Sequence, residues 1–243
     1  MLIGPVAPDL TVRRRQAELM DDPSLDVDRH HRALGALARI NRVSFAAGRV
    51  WRHVRGLAAA RSRAIRVLDV ACGGGDVLRA LARRAAAEGV DIELHGCDLS
   101  PVALAYAERA VSEVLADAHT VHLFEHDVLA DPLPGEYDVV VTSLFLHHLE
   151  RTDAVGLLRK LGRAARARLL VQDLRRTRLG YAFAWVGLHT LTTSDVARVD
   201  GLRSVRAAFT MTEVRSMAEE AGLDGVTIDA VWPQRFALTW SCA

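Results

Sequence analysis

Short apolar runs alternate with amphipathic stretches along most of the chain. The apolar runs are six or seven residues long and predict strands: residues 65–70, 92–97, 119–124, 137–143, 167–173, 226–232 and 235–240. Helical spacing of apolar residues predicts helices in four other stretches: 76–88, 101–117, 151–165 and 210–223. This alternation indicates an α/β fold whose sheet is mostly parallel and covered on both faces.

The C-terminal part carries signals for the end of the sheet. The last two apolar runs are separated by little beyond Pro233 and Gln234, which is too short for a parallel crossover. We therefore expect a hairpin and an antiparallel last strand. The preceding helix has a capping box at Thr210 and Glu213 and a stop signal at Gly222.

The N-terminal part has no strand pattern. Its apolar residues recur at helical spacing with arginines between them: Leu34, Leu37, Ile40 and Val43. We interpret residues 1–65 as an N-terminal helical cap on a domain of residues 66–243, the two forming one structural unit.

Composition narrows the class of partner. The chain has 243 residues, a net charge of +1 and interspersed charges of both signs, which argues against nucleic acid. Cys72, Cys97 and Cys242 form no CxxC pair, so we expect no disulfide framework, no metal site and a reducing, cytoplasmic location. No apolar stretch approaches the roughly 18 residues of a membrane span, and we see no signal-peptide core. A small-molecule partner and a monomer or homodimer are expected.

The stretch VLDVACGGGDVL, residues 67–78, ends the first predicted strand in a glycine-rich loop. The dinucleotide fingerprint GxGxxG fits Gly73 and Gly75 but has Leu78 at its third glycine. Asp69 at the strand end would repel a pyrophosphate, whereas it would attract a positively charged ligand. The loop alone leaves the nucleotide open.

Asp69 followed by Ala71-Cys72-Gly73-Gly74-Gly75 resembles motif I of the class I S-adenosylmethionine-dependent methyltransferases, with alanine at the first glycine. Asp98 ends the second strand where a carboxylate can accept the ribose hydroxyls, and Asp127 with Val128 follows the third strand where the family binds adenine. YDVVVTSLF, residues 137–145, resembles motif IV. The four motifs occur in the family's order.

The resemblance implies a Rossmann-like, doubly wound, seven-stranded sheet and S-adenosyl-L-methionine as cofactor. It covers roughly residues 66–240. The cofactor-binding residues that it implies are Asp69, Ala71, Cys72, Gly73, Gly75, Asp98, Leu99, Asp127, Val128, Ser143 and Leu144.

Candidate catalytic residues follow the fourth and fifth strands. His147 and His148 come just after the fourth strand and Asp173 ends the fifth. A histidine with a pKa near 6.5 suits a general base at neutral pH, and a carboxylate can orient it. His147 is the first choice, although the histidines could instead pack or cap the next helix, and an acidic phenol would need no base.

Other segments leave alternatives open. Phe183, Trp185 and Leu188 are candidates for an apolar lid over an aromatic acceptor or for an ordinary core helix. His30 and His31 are interpreted mainly as packed or solvated. One arginine of residues 13–15 could pair with the cofactor carboxylate.

The favoured function is O-methylation of a small phenolic or polyketide-like acceptor. C-methylation of a quinone-like ring is the near alternative. A nicotinamide-dependent reductase is the alternative from another class, and Asp69, Asp127 and the missing third glycine argue against it.

Overall fold

The computed structural model describes residues 8–22, 24–113 and 121–242. Within them, one sheet of seven strands has the order β3-β2-β1-β4-β5-β7-β6. The strands are β1 Ile65–Val70, β2 Ile92–Asp98, β3 Val121–Glu125, β4 Tyr137–Ser143, β5 Ala165–Leu174, β6 Thr227–Val231 and β7 Arg235–Ser241. Strands β1 to β5 pair in parallel, and β7 is antiparallel to both β5 and β6. The predicted Rossmann-like, mostly parallel sheet with an antiparallel last strand is confirmed.

Eight α-helices lie in the described residues. They are α1 Val27–Val43, α2 Ala46–Ala58, α3 Asp76–Glu88, α4 Pro101–Ser112, α5 Arg151–Ala164, α6 Arg178–Leu191, α7 Asp195–Ala207 and α8 Met211–Glu220. The capping box of α8 forms as predicted. Predicted helical residues 114–117 and predicted strand residues 119–120 lie outside the described part of the chain.

Apolar packing on both faces explains the position of the sheet. One face packs against α5 and α8 through a cluster that includes Leu158 and Met217. The other face packs against α2 and α3 through Trp51, Val54 and Leu81. Strands β1 and β4 are buried along almost their whole length because they lie between these two layers.

The N-terminal segment packs on the sheet through α2 and on other helices through α1. Helix α2 belongs to a core layer, whereas α1 contacts α4, α6 and α7. Because α2 shares a core with α3, packing does not separate residues 1–65 from the rest, and the proposed division at residue 65 stays a prediction. None of the described helices has the length and apolarity that a bilayer crossing requires.

Candidate active site

A cavity of about 1040 Å³ opens at the carboxyl ends of the parallel strands. Its floor is formed by the loops after β1, β2 and β4, and its walls by α1, α6 and residues of the N-terminal segment. Ligands of open α/β sheets bind at this edge because the strand order reverses there. The neighbours of β1, namely β2 and β4, diverge at this point.

The backbone of the glycine loop adopts a conformation that a residue with a side chain would disturb. Gly73 and Gly75 have φ values of 50° and 66°, a region that glycine adopts without steric cost. A Cβ on Gly75 would lie 3.1 Å from Ala107 Cβ of α4. Asp98 Oδ2 accepts a hydrogen bond from Gly73 N–H at 2.8 Å, so β2 holds the loop in place.

Most of the cofactor-binding residues implied by the motifs reach the cavity. They are Ala71, Cys72, Gly73, Asp98, Leu99, Asp127, Val128, Ser143 and Leu144. Gly75 does not line the cavity, because it packs on α4.

Asp69 also lies outside the cavity wall, whereas its place in motif I implies a contact with the cofactor either directly or through water. Its side chain is buried beneath the loop. Burial raises its pKa well above the usual range, and the charges of Asp76 and Asp98 add to the effect. Any interaction of Asp69 with a ligand must therefore pass through the loop or through water.

Asp76, at the start of α3, does line the cavity. Burial raises its pKa, while a hydrogen bond with the Asn41 side chain and the charge of Arg235 lower it. Arg235 Nη1 donates to Asn41 Oδ1 at 2.9 Å. Asn41 therefore connects a carboxylate and a guanidinium on one wall.

Several buried polar atoms at the wall have no hydrogen-bond partner among the described residues. They are His126 Nε2, Ser143 Oγ and Arg235 Nε. An unpaired buried polar atom costs about 1–3 kcal/mol, so these atoms favour a ligand that supplies the missing partners.

The histidines after β4 meet a carboxylate that the sequence analysis missed. His147 Nδ1 lies 2.7 Å from Asp173 Oδ1, and its Nε2 lies 3.4 Å from Glu18 Oε1. His148 Nε2 lies 3.7 Å from Glu18 Oε2 and its Nδ1 lies 3.2 Å from Asp21 Oδ2. The structure thus brings His147, His148 and Asp173 together, with Glu18 facing both rings.

The charges around His147 change its chemistry. Burial alone would lower its pKa, but Asp173 and Glu18 outweigh burial and raise it to about 10. Burial would raise the pKa of Glu18, but His147 and His148 lower it to about 2. The two carboxylates that face the ring therefore favour the protonated form of His147 over the neutral form that a general base requires.

Helix α7 places Glu18. Asp200 accepts hydrogen bonds from the backbone N–H groups of Leu19 and Met20 at 2.8 and 3.0 Å. Ser204 Oγ donates to Glu18 Oε1 at 2.5 Å. These contacts hold Glu18 and the two residues after it against α7.

Two arginines near the N-terminus bind the loop that follows β4. Arg13 Nη2 donates to the carbonyl oxygens of His147 and Leu149 at 2.9 and 2.7 Å. Arg15 pairs with Glu150 at 2.7 Å. Arg13 and Arg15 are thus engaged by the loop after β4 and do not lie in the cavity wall, so the suggested pairing with a cofactor carboxylate is not supported for them.

Two of the three residues of the candidate lid line the cavity, and the third does not. Phe183 and Leu188 of α6 line the cavity, whereas Trp185 does not and stacks on His189. Phe183 also packs edge-on against Trp232, with 5.6 Å between the ring centroids. His30 reaches the wall, and His31 packs beside Tyr106.

The charged residues of the site that escaped the sequence analysis include Glu18, Asp76 and Arg235. Asp76 stands next to Gly75 in the quoted loop, so its position carried a usable signal. Glu18 and Arg235 lie far from the motifs in sequence, and only the packing of α7 and β7 brings them to the cavity.

Comparisons with known proteins find methyltransferases. The methyltransferase domain family matches residues 68–168. The chain is 26% identical over 162 residues to a ubiquinone biosynthesis O-methyltransferase of Pseudomonas aeruginosa. The aligned region covers 65% of this chain and 64% of that protein. The chain therefore matches slightly less than two thirds of the length of this relative.

Solved structures share the fold. Magnesium protoporphyrin IX methyltransferase of Synechocystis, crystallised with bound SAH, aligns with a TM-score of 0.55 at 18% identity over 84% of this chain and 87% of its own. An S-adenosylmethionine-dependent methyltransferase of Aquifex aeolicus aligns with a TM-score of 0.58 at 15% identity over 90% of this chain and 100% of its own. The sheet order, the four motifs and the domain match over residues 68–168 together support a class I S-adenosylmethionine-dependent methyltransferase.

Proposed function

We propose that the chain transfers a methyl group from S-adenosyl-L-methionine to a hydroxyl of a small phenolic or polyketide-like acceptor. The observation that carries this proposal is the position of the Glu18–His147–His148 cluster in the same cavity as the glycine loop. The name of the relative from P. aeruginosa, an O-methyltransferase, supports a hydroxyl acceptor.

The residues of the wall fit the cofactor. The loop leaves room for close approach of a ligand because side chains are absent at Gly73 and Gly74. Asp98 suits the ribose hydroxyls, and Asp127 with Val128 suits the adenine. The unpaired His126 Nε2 and Ser143 Oγ are available to the same ligand.

The charged part of the wall, formed by Asp76, Asn41 and Arg235, is complementary in charge to the amino-acid end of the cofactor. A carboxylate attracts an ammonium group and a guanidinium attracts a carboxylate. The amino-acid end of the cofactor carries both groups. We therefore assign Asp76 to its ammonium and Arg235 to its carboxylate, with Asp69 contributing negative charge from beneath the loop.

The cofactor, when bound, supplies a methyl carbon attached to a positively charged sulfur, which an oxygen nucleophile attacks in line. This chain's part is to align that oxygen and to exclude water. Phe183, Val186 and Leu191 offer apolar surface to an aromatic acceptor.

His147, held by Asp173, is proposed to face the acceptor oxygen. In its protonated form, which Asp173 and Glu18 favour, the ring stabilises that oxygen as an oxyanion and donates a hydrogen bond to it. An acidic phenol, which ionises readily, suits this arrangement best. Asp173 is a positioning residue, and His148 with Glu18 completes the polar end of the cavity.

The free thiols Cys72, Cys97 and Cys242 fit the proposed cytoplasmic location. A small molecule is the proposed partner, and the expected monomer or homodimer stays a prediction.

Incubation with methyl-labelled S-adenosylmethionine and a panel of catechols, hydroquinones and naphthols tests the proposal. Mass spectrometry of the products should show label on at least one acceptor, and NMR should place it on oxygen. Label on a ring carbon would support the C-methylation alternative instead. No transfer to any acceptor, together with no SAH binding, would contradict the proposal.

A further inference from the structure

Three side chains at the polar end of the cavity have the donor set of a metal site. Glu18, His147 and His148 each offer one ligand atom, and these atoms lie within 4.8 Å of one another. His147 is 3% exposed, Glu18 11% and His148 23%, so the set lies mostly away from bulk solvent with His148 at its more open side. Two imidazoles and a carboxylate suit a divalent first-row transition ion better than Mg²⁺ or Ca²⁺, which prefer oxygen ligands.

The spacing of the ligand atoms suits an ion better than a direct hydrogen bond. Ligands about 2.1 Å from a tetrahedral ion are about 3.4 Å apart. Nε2 of His147 lies 3.4 Å from Oε1 of Glu18, and Nε2 of His148 lies 3.7 Å from the other carboxylate oxygen, Oε2. Charge-assisted N–H···O hydrogen bonds are usually about 2.7–2.9 Å long, which is the length of the His147–Asp173 contact.

Each ligand is oriented by a neighbour that does not reach the proposed ion. Asp173 binds Nδ1 of His147, Asp21 faces Nδ1 of His148, and Ser204 donates to Glu18. Histidine ligands of metals typically give their second nitrogen to a carboxylate, which fixes the ring and makes the coordinating nitrogen more basic. Both histidines direct Nε2 towards Glu18 and Nδ1 towards another carboxylate.

We propose that Glu18, His147 and His148 bind one divalent transition-metal ion of the zinc or cobalt type, with an open coordination position towards the cavity. Binding displaces the proton of His147. The absence of cysteine pairs argues only against a thiolate site, and this set contains no cysteine. Metal binding does not depend on the proposed function.

The effect of the ion on the acceptor hydroxyl, in contrast, rests on the proposed function. An acceptor hydroxyl on the open position would lose its proton more readily, because a bound cation stabilises the oxyanion. The ion would then supply the positive charge that the His147 proton supplies in its absence.

The test is a Co²⁺ titration of the full chain, freed of affinity tag and metal, followed by its visible absorption. We expect an absorption band that saturates at one equivalent and is abolished by Zn²⁺. Glu18→Gln, which keeps the contact with Ser204, and His148→Gln should each weaken Co²⁺ binding at least about tenfold. His189→Gln, on exposed surface, should leave binding unchanged.

SAH binding by each variant shows that the cofactor half of the fold is intact. Absence of a band that saturates at one equivalent would overturn the metal site. Equal Co²⁺ affinity in the wild type, Glu18→Gln and His148→Gln would also overturn it, because it would mean surface binding. A wild type that binds Co²⁺ but not SAH would contradict the proposed function and leave the metal site standing.

Discussion

At the scale of residues, the site depends on which carboxylates face the cavity. The sequence marks Asp69 as the acidic residue of motif I, but the structure buries it under the loop and brings Asp76 to the wall. The strand and loop patterns predict that both Asp69 and Asp76 lie near the glycine loop. They do not predict which of the two carboxylates faces the cavity, because that depends on the φ values of the loop.

Asp76→Asn should weaken SAH binding by about tenfold, because the variant loses the charge that attracts the ammonium group. Binding of 5′-methylthioadenosine, which lacks the amino-acid end, should be unchanged. Calorimetry of both ligands measures the difference, with Asp131→Asn as the control on exposed surface. Equal losses for both ligands would place Asp76 in support of the loop and not at the ammonium.

His147→Ala should lower turnover at neutral pH by more than about tenfold while SAH still binds, because the acceptor oxyanion loses a positive partner. Single-turnover assays with saturating cofactor measure the change, and His189→Ala is the matched control. Unchanged turnover would mean that holding the acceptor oxygen close to the methyl group accounts for the whole rate enhancement, without a contribution from His147.

At the scale of elements, two connections set the shape of the site. The N-terminal segment is held on α7 by Asp200 and Ser204, and α6 closes the cavity with Phe183. The strands, the hairpin and α8 were predictable because each has a local pattern. The positions of Glu18 and α6 were not, because they follow from contacts between distant parts of the chain.

Phe183→Ala should raise the KM for the acceptor several-fold to about tenfold, since the apolar contact with the substrate is lost. SAH affinity should stay as in the wild type. Leu179→Ala, on the same helix but outside the cavity wall, is the control. If Phe183→Ala left the KM for every acceptor unchanged, α6 would not be the acceptor wall.

The start of β4 makes a pH-dependent contribution to stability. Burial would raise the pKa of Asp138, but hydrogen bonds and charges from Arg63, Arg66 and Arg61 lower it to about 2. A carboxyl group whose pKa is lowered by folding stabilises the fold above its unfolded pKa and loses that effect as the pH falls through the folded value.

Asp138→Asn should therefore reduce the free energy of unfolding at pH 7 by about 1–2 kcal/mol. The difference from the wild type should shrink between about pH 4 and pH 2. Urea unfolding at several pH values measures it, and Asp153→Asn, exposed on α5, is the control. A difference that is constant across this range would show that charge is not its cause.

At the scale of the whole molecule, one sheet edge collects groups from nearly every part of the chain. The glycine loop, the ends of β2 and β4, the start of β7, α6 and the N-terminal segment all border one cavity. The fold class and the cofactor motifs were predictable because they lie in order along the sheet. The acceptor end was only partly predictable, because Glu18, which faces both histidines, belongs to no sequence motif.

The central claim is that this cavity binds the cofactor of methyl transfer and not a nicotinamide dinucleotide. Calorimetric titration of the full chain with SAH, NADH and NADPH tests it most directly. We predict saturable binding of SAH at one molecule per chain and no binding of either nicotinamide. Binding of NADH or NADPH without binding of SAH would contradict the account.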